Sequence, residues 1–155
     1  MKTNALSLEF MNPYEVEIHY KRPLFSSMQK IASSLEASTI LRNYIDTNVL
    51  DVKEFFWIIL LSRANKVLGI STITIGNTSG VTVNYREIIQ LTLLSNASHI
   101  IVAHNHPSGK LAPSENDKSI TEKLQEGLKL FDTKLLDHLI LTSEAYYSFA
   151  DEGNL

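Results

Sequence analysis

The run Phe55-Phe56-Trp57-Ile58-Ile59-Leu60-Leu61 carries no charged side chain, and no other stretch restricts the fold as strongly. A segment so short and apolar predicts a central strand buried on both faces. Glu54 bounds it on one side and Ser62-Arg63-Ala64-Asn65 on the other, the latter reading as a turn. Such a strand needs neighbours in a sheet and a layer of cover on each side. Residues 67–75 supply an adjacent strand, residues 100–103 a short core strand, and residues 135–141 a last buried strand. Helices are predicted between them. Ser33 and Glu36 form a capping-box signal ahead of the stripe Ala37, Ile40, Leu41, Tyr44 and Ile45, and residues 86–94 suit a buried helix. Ser114 can cap a third helix with the stripe Ile120, Leu124, Leu128 and Phe131. Val16, Ile18 and Tyr20 alternate with Glu17, His19 and Lys21, which predicts a half-buried strand near a sheet edge with His19 on its charged side. Gly76, Asn77, Ser79 and Gly80 read as a loop before residues 81–83, and residues 146–155 as a short ordered appendage. The alternation predicts an α/β layered domain, a mostly central sheet covered by helices.

At 155 residues with 44% apolar content, one domain with its own core is the expectation. A net charge of -3 argues against a broad cationic face for phosphate backbones, while leaving room for a local basic patch. The absence of cysteine removes disulfides, thiolate ligands and cysteine nucleophiles, so any metal site must use histidines and carboxylates. No stretch approaches the roughly 18 apolar residues of a membrane span, and the amino terminus lacks a long apolar core. The expectation is a soluble, cytoplasmic protein with no membrane partner.

Chemistry concentrates where the third strand ends. His104 and His106 are two residues apart, so an extended chain puts both imidazoles on one side. Pro107, Ser108 and Gly109 turn the chain away, and Asp117 returns in the first turn of the next helix. Two histidines and one carboxylate would leave a fourth position for water, the open arrangement of catalytic zinc. Glu54 stands just before the most buried strand, where a neighbouring strand could hold its carboxylate near the His pair to accept a proton from that water, although sequence alone does not single it out. Each of these residues also has a purely structural explanation. The two histidines suit a strand-to-loop junction, Asp117 suits a helix cap three residues after Ser114, and Glu54 suits a solvated strand entrance. His19, His99 and His138 read as surface or satisfied interior residues. The string His-Asn-His is coincidental as a nuclease sign, because nuclease sites of that name spread these residues along a ββα unit.

His104-x-His106, seven intervening residues, Ser114, two more and Asp117 together match the JAMM signature of the JAB/MPN metalloprotease superfamily. The fuller string HNHPSGKLAPSEND resembles the RadC family, as do Arg86-Glu87-Ile88 and Leu136-Asp137-His138-Leu139-Ile140. The likeness runs from about Ser33 to the carboxyl terminus, giving residues 1–32 as an amino-terminal strand and irregular extension and residues 33–155 as a RadC-like JAB/MPN domain. It implies a three-layer α/β/α sandwich with a mixed central sheet, similar to cytidine deaminases. Deaminase chemistry itself is not expected, since its cysteine ligands are missing. It further implies a zinc metallohydrolase, peptidase or isopeptidase-like, acting on a protein or peptide. His104, His106 and Asp117 would be the zinc ligands, Ser114 would assist the tetrahedral intermediate or orient the site, and Glu54 would be the acid/base, with Glu87 a second candidate for that role. The alternative is an accessory protein of DNA repair or recombination with weak or indirect nucleic-acid association. Residues 1–32 lack the helix-hairpin-helix pattern of longer RadC proteins, so that element is not carried over.

Overall fold

The apolar run does form a strand, and its alternation builds two cores at once. The computed structural model describes residues 19–75 and 82–155. Strand β1 (Phe55–Leu61) lies inside a five-stranded sheet of order β2-β1-β3-β4-β5, with β2 Val67–Ile75, β3 His99–Asn105, β4 Lys134–Leu141 and β5 Tyr146–Ser148. Three helices, α1 (Ser34–Tyr44), α2 (Tyr85–Leu94) and α3 (Glu115–Lys129), cover the sheet. Phe56, Ile58 and Leu60 pack with Ile100 and Val102 of β3, Ile88 of α2, and Ile120, Leu124 and Leu128 of α3. Trp57, Ile59 and Leu61 face the other way and pack with Ile101, Ala103 and, from α1, Ala37 and Leu41. The result is an α/β/α sandwich with α1 on one face and α2 and α3 on the other. Each of the Leu, Ile, Val and Phe side chains among these packed residues, fully buried, contributes roughly 1.5–3 kcal/mol relative to exposure.

The sheet is mixed. β1 pairs antiparallel with both β2 and β3, whereas β3 and β4 run parallel and are joined through α3. Asn65, at φ 57, completes the tight turn between β1 and β2. The register of β3 with β4 shifts once: Ile100 pairs with Leu135, but Ile101 pairs with Asp137, so Leu136 is an extra residue. A one-residue slip reverses the faces of everything beyond it. The bulge therefore puts His138 opposite Val102 on the α2/α3 side of the sheet.

Several expectations need correction. Residues 146–148 are a fifth strand, antiparallel to β4, rather than part of an appendage. Its register is fixed by Asp137, whose buried carboxylate accepts from Ser148 Oγ at 2.6 Å and from the Ala150 amide at 3.0 Å. Phe131 lies beyond α3 and is 41% exposed, because Asp132 at φ 51 turns the chain back towards the sheet. Tyr44 of the α1 stripe is exposed. The strand expected around Tyr20 falls mostly on Val16 and Ile18, which lie outside the described residues, as do residues 76–81. Tyr20 itself is in no strand, although its hydroxyl donates to the Leu68 carbonyl at 3.0 Å.

Candidate metal centre

His104 has the same parity as Ile100 and Val102, so it emerges from β3 on the α2/α3 face and is 4% exposed. His106 follows past the strand end, where its amide donates to the Leu141 carbonyl at 2.9 Å. The chain then turns sharply, with the Gly109 amide donating to the His106 carbonyl at 3.0 Å. Gly109 sits at φ +75, a conformation costly for any residue with a Cβ. This turn brings the Lys110 carbonyl 2.6 Å from His106 Nδ1. A carbonyl can only accept, so Nδ1 carries the proton and, in the neutral ring, Nε2 keeps its lone pair.

Asp117 reaches the same point from the start of α3. Ser114 caps that helix, and the cap is reciprocal: the Ser114 amide and hydroxyl each donate to Asp117 Oδ2 at 2.7 Å, while the Asp117 amide donates to Ser114 Oγ at 3.1 Å. Capping occupies Oδ2 and leaves Oδ1 directed at His104 Nε2, 3.1 Å away. His106 Nε2 lies 2.9 Å from His104 Nε2 and 3.6 Å from Asp117 Oδ2. Burial alone would raise the Asp117 carboxyl, but its hydrogen bonds with His104, His106 and Ser114 hold it far below the ordinary carboxylate range. The Asp117 hydrogen bond in turn raises His106 above its usual value, against the effect of burial.

Two imidazole nitrogens and a carboxylate oxygen thus converge within 4.8 Å of one another. His106 Nε2 and the Asp117 carboxylate are both acceptors, with no hydrogen between them unless the His106 ring takes a second proton. A divalent cation satisfies all three together, and a nitrogen and oxygen donor set of this kind suits zinc. His104, His106 and Asp117 can therefore hold a metal ion.

A cleft of about 200 Å³ opens over these atoms, lined also by Glu54, Phe56, Ser114 and Asn116. Glu54 is there because of register. Phe56 pairs with His104 in the antiparallel ladder, so the residue two positions earlier falls beside the end of β3. Where the ladder's backbone ends, Asn105 continues it with its side chain: Oδ1 accepts from the Phe55 amide at 2.7 Å, and Nδ2 donates to the Leu50 and Lys53 carbonyls at 2.6 and 2.8 Å. Glu87 is elsewhere. It lies in the first turn of α2 against the cap Asn84 and lines a separate groove with Leu91 and Leu94. The structure brings Glu54 to the cleft and leaves Glu87 outside it.

Sequence reasoning missed Asn105 and Thr121, and its reading of His138 as a surface or satisfied interior residue resolves to the interior, with partners the sequence did not name. His138 Nε2 lies 2.9 Å from His104 Nδ1, and its Nδ1 lies 2.7 Å from Thr121 Oγ1. The signal was the pair Asp137-His138 interrupting an otherwise apolar strand, but the face His138 takes depends on the bulge.

The model of the RadC-like JAB domain matches residues 31–154. A UPF0758 protein of Flavobacterium johnsoniae is 41% identical over 81% of this chain and 54% of its own length. The UPF0758 protein YfjY of Escherichia coli is 40% identical over 66% of this chain and 64% of its own length. A UPF0758 protein of Thermotoga maritima is 33% identical, with corresponding shares of 85% and 60%. The chain spans between about half and two thirds of the length of these relatives.

Proposed function

The chain belongs to the RadC family of JAB domains, in the JAB/MPN superfamily, and on that premise we propose that it is a zinc metallohydrolase cleaving an amide bond in a protein or peptide. The observation that carries this reading is the convergence of His104 Nε2, His106 Nε2 and Asp117 Oδ1 in a cleft that Glu54 also lines. His104, His106 and Asp117 would hold the zinc, which when bound would supply Lewis acidity and make water a nucleophile near neutral pH. The chain's own residues do the rest. Glu54 takes a proton from the attacking water on its carboxylate and returns it to the departing amine. Ser114 lines the cleft and holds Asp117 through Oδ2, and its one hydroxyl hydrogen would have to turn away from that carboxylate to donate to a carbonyl oxygen as negative charge grows there. Phe56 and Ile120 supply the apolar wall that limits water in the cleft.

Metal content and turnover test the reading together. Purified protein loaded with zinc should hold about one ion per chain, and His104→Ala and Asp117→Ala should each abolish that uptake. Glu54→Gln should keep the zinc and lose roughly 100- to 10,000-fold in turnover of peptide and isopeptide substrates. Wild-type protein that remains metal-free in excess zinc overturns the reading, and undiminished turnover in Glu54→Gln removes that residue from the mechanism.

A further inference from the structure

We propose that His138 is a positioning residue that fixes which nitrogen of His104 is presented to the metal, through a one-way chain of hydrogen bonds starting at the α3 backbone. The proposal rests on the reading of His104, His106 and Asp117 as a metal centre.

The direction follows from the partners. Thr121 Oγ1 lies 2.7 Å from the Asp117 carbonyl, which can only accept, so the single hydroxyl hydrogen is spent there. Towards His138 Nδ1, 2.7 Å away, the same oxygen can then only accept. The His138 proton is therefore on Nδ1, and Nε2 is left with a lone pair. That lone pair faces His104 Nδ1 at 2.9 Å and takes its hydrogen. His104 Nε2 is left bare, and it is the atom 3.1 Å from Asp117 Oδ1 and 2.9 Å from His106 Nε2. On His106 the Lys110 carbonyl does the same work in one step.

The His138 ring has no freedom to serve otherwise. It is fully buried, stacked on Phe149 at 4.8 Å with an interplanar angle of 11°, and met edge-on by Phe56 at 5.8 Å. Both ring nitrogens are hydrogen-bonded to uncharged partners, so no second proton is compensated in this pocket. Partners of this kind fix ligand orientation and basicity, and their loss typically costs roughly 10–100-fold in metal affinity.

The decisive measurement is the nitrogen-15 spectrum of the imidazoles in zinc-loaded protein, supported by zinc affinities from chelator competition. His104 and His138 should both appear with the proton on Nδ1. His138→Phe keeps a ring between Phe56 and Phe149 but removes the acceptor, and should weaken zinc binding roughly 10–100-fold. His138→Gln offers an amide oxygen to His104 and an amide hydrogen to Thr121, and should restore most of the loss. Thr121→Val should leave His138 divided between its two tautomers, a change that packing alone does not produce. A His138 protonated on Nε2 in wild-type protein overturns the proposal, as does wild-type zinc affinity in a folded His138→Phe. If His138→Phe does not fold, the spectra of wild type and Thr121→Val decide. Wild type that takes up no zinc overturns the metal reading itself, whereas zinc uptake with the wrong His138 tautomer overturns this proposal alone.

Discussion

Asp117 shows why its spacing alone left two explanations open. Three residues after Ser114 is the position of a capping carboxylate and also the position from which a side chain faces back to His104. The structure lets both hold by giving each a different oxygen, Oδ2 to the cap and Oδ1 to the histidine. The cap thereby aims the ligand. Ser114→Ala should cost about 1 kcal/mol in the metal-free protein as a lost N-cap. It should also weaken zinc binding, since Asp117 Oδ2 then keeps only the backbone donor. Ser114→Thr, which retains the hydroxyl, should recover both. Thermal unfolding without metal and chelator competition with zinc read the two effects separately, and an unchanged affinity in Ser114→Ala would show that the cap does not aim the carboxylate. The reciprocal contact was legible in the sequence as a motif, but the division of labour between the oxygens was not, because it depends on the angle at which α3 meets β3.

At the scale of elements, short apolar runs recovered β1 to β4, and the recurrence of apolar residues at helical spacing recovered α1, α2 and α3. Such patterning failed where one residue changes the phase. The extra Leu136 in β4 turns His138 towards His104, and a pattern of seven or eight mostly apolar residues contains no mark of that slip. It also failed at β5, three residues long, whose place is set by Asp137 and Ser148 rather than by an apolar face. Asn105 is the matching case at the other end of β3. Its side chain replaces backbone in the β1–β3 ladder and ties down the segment that delivers Glu54. Asn105→Leu keeps the volume nearly constant but strands the Phe55 amide and the Leu50 carbonyl. Burying such groups without partners costs about 1–3 kcal/mol each. The urea midpoint should fall by the equivalent of roughly 2 kcal/mol or more with an unchanged slope, and turnover should fall further than zinc affinity. A midpoint equal to that of wild type would mean that water or a shifted loop satisfies those groups.

The whole molecule links the candidate centre to stability, because the three residues that can hold a metal come from β3, the turn after it and α3, and are brought together only in the folded chain. An ion that binds the folded state alone stabilises it by about 2.7 kcal/mol at a hundred times its dissociation constant. For a chain of this size that corresponds to a rise of about 5–10 °C in Tm. The gain has a pH dependence whose sign the site dictates. The Asp117 hydrogen bond raises His106 above its ordinary value of 6.5, so in the metal-free protein the protonated ring adds stability that is full below 6.5. That stability is lost as pH rises through the raised value. Asp117 is held so low that it stays ionised throughout this range and contributes no slope. Burial lowers His138 and His99 instead, and their cost to the fold lies below 6.5, where the unfolded imidazoles take up protons. Above 6.5, His106 alone of these groups changes charge, and the proton it loses is the one zinc must displace. Metal-free protein should therefore lose stability as pH rises from 6.5 through the raised His106 value, while zinc-loaded protein holds its Tm, and the gap between the two should widen with pH. Asp117→Ala removes both the partner that raises His106 and a ligand, and should flatten the metal-free slope and close the gap together. A zinc-induced rise in Tm that is constant over this interval would mean that His106 carries no competing proton and that its contact with Asp117 does not govern the site.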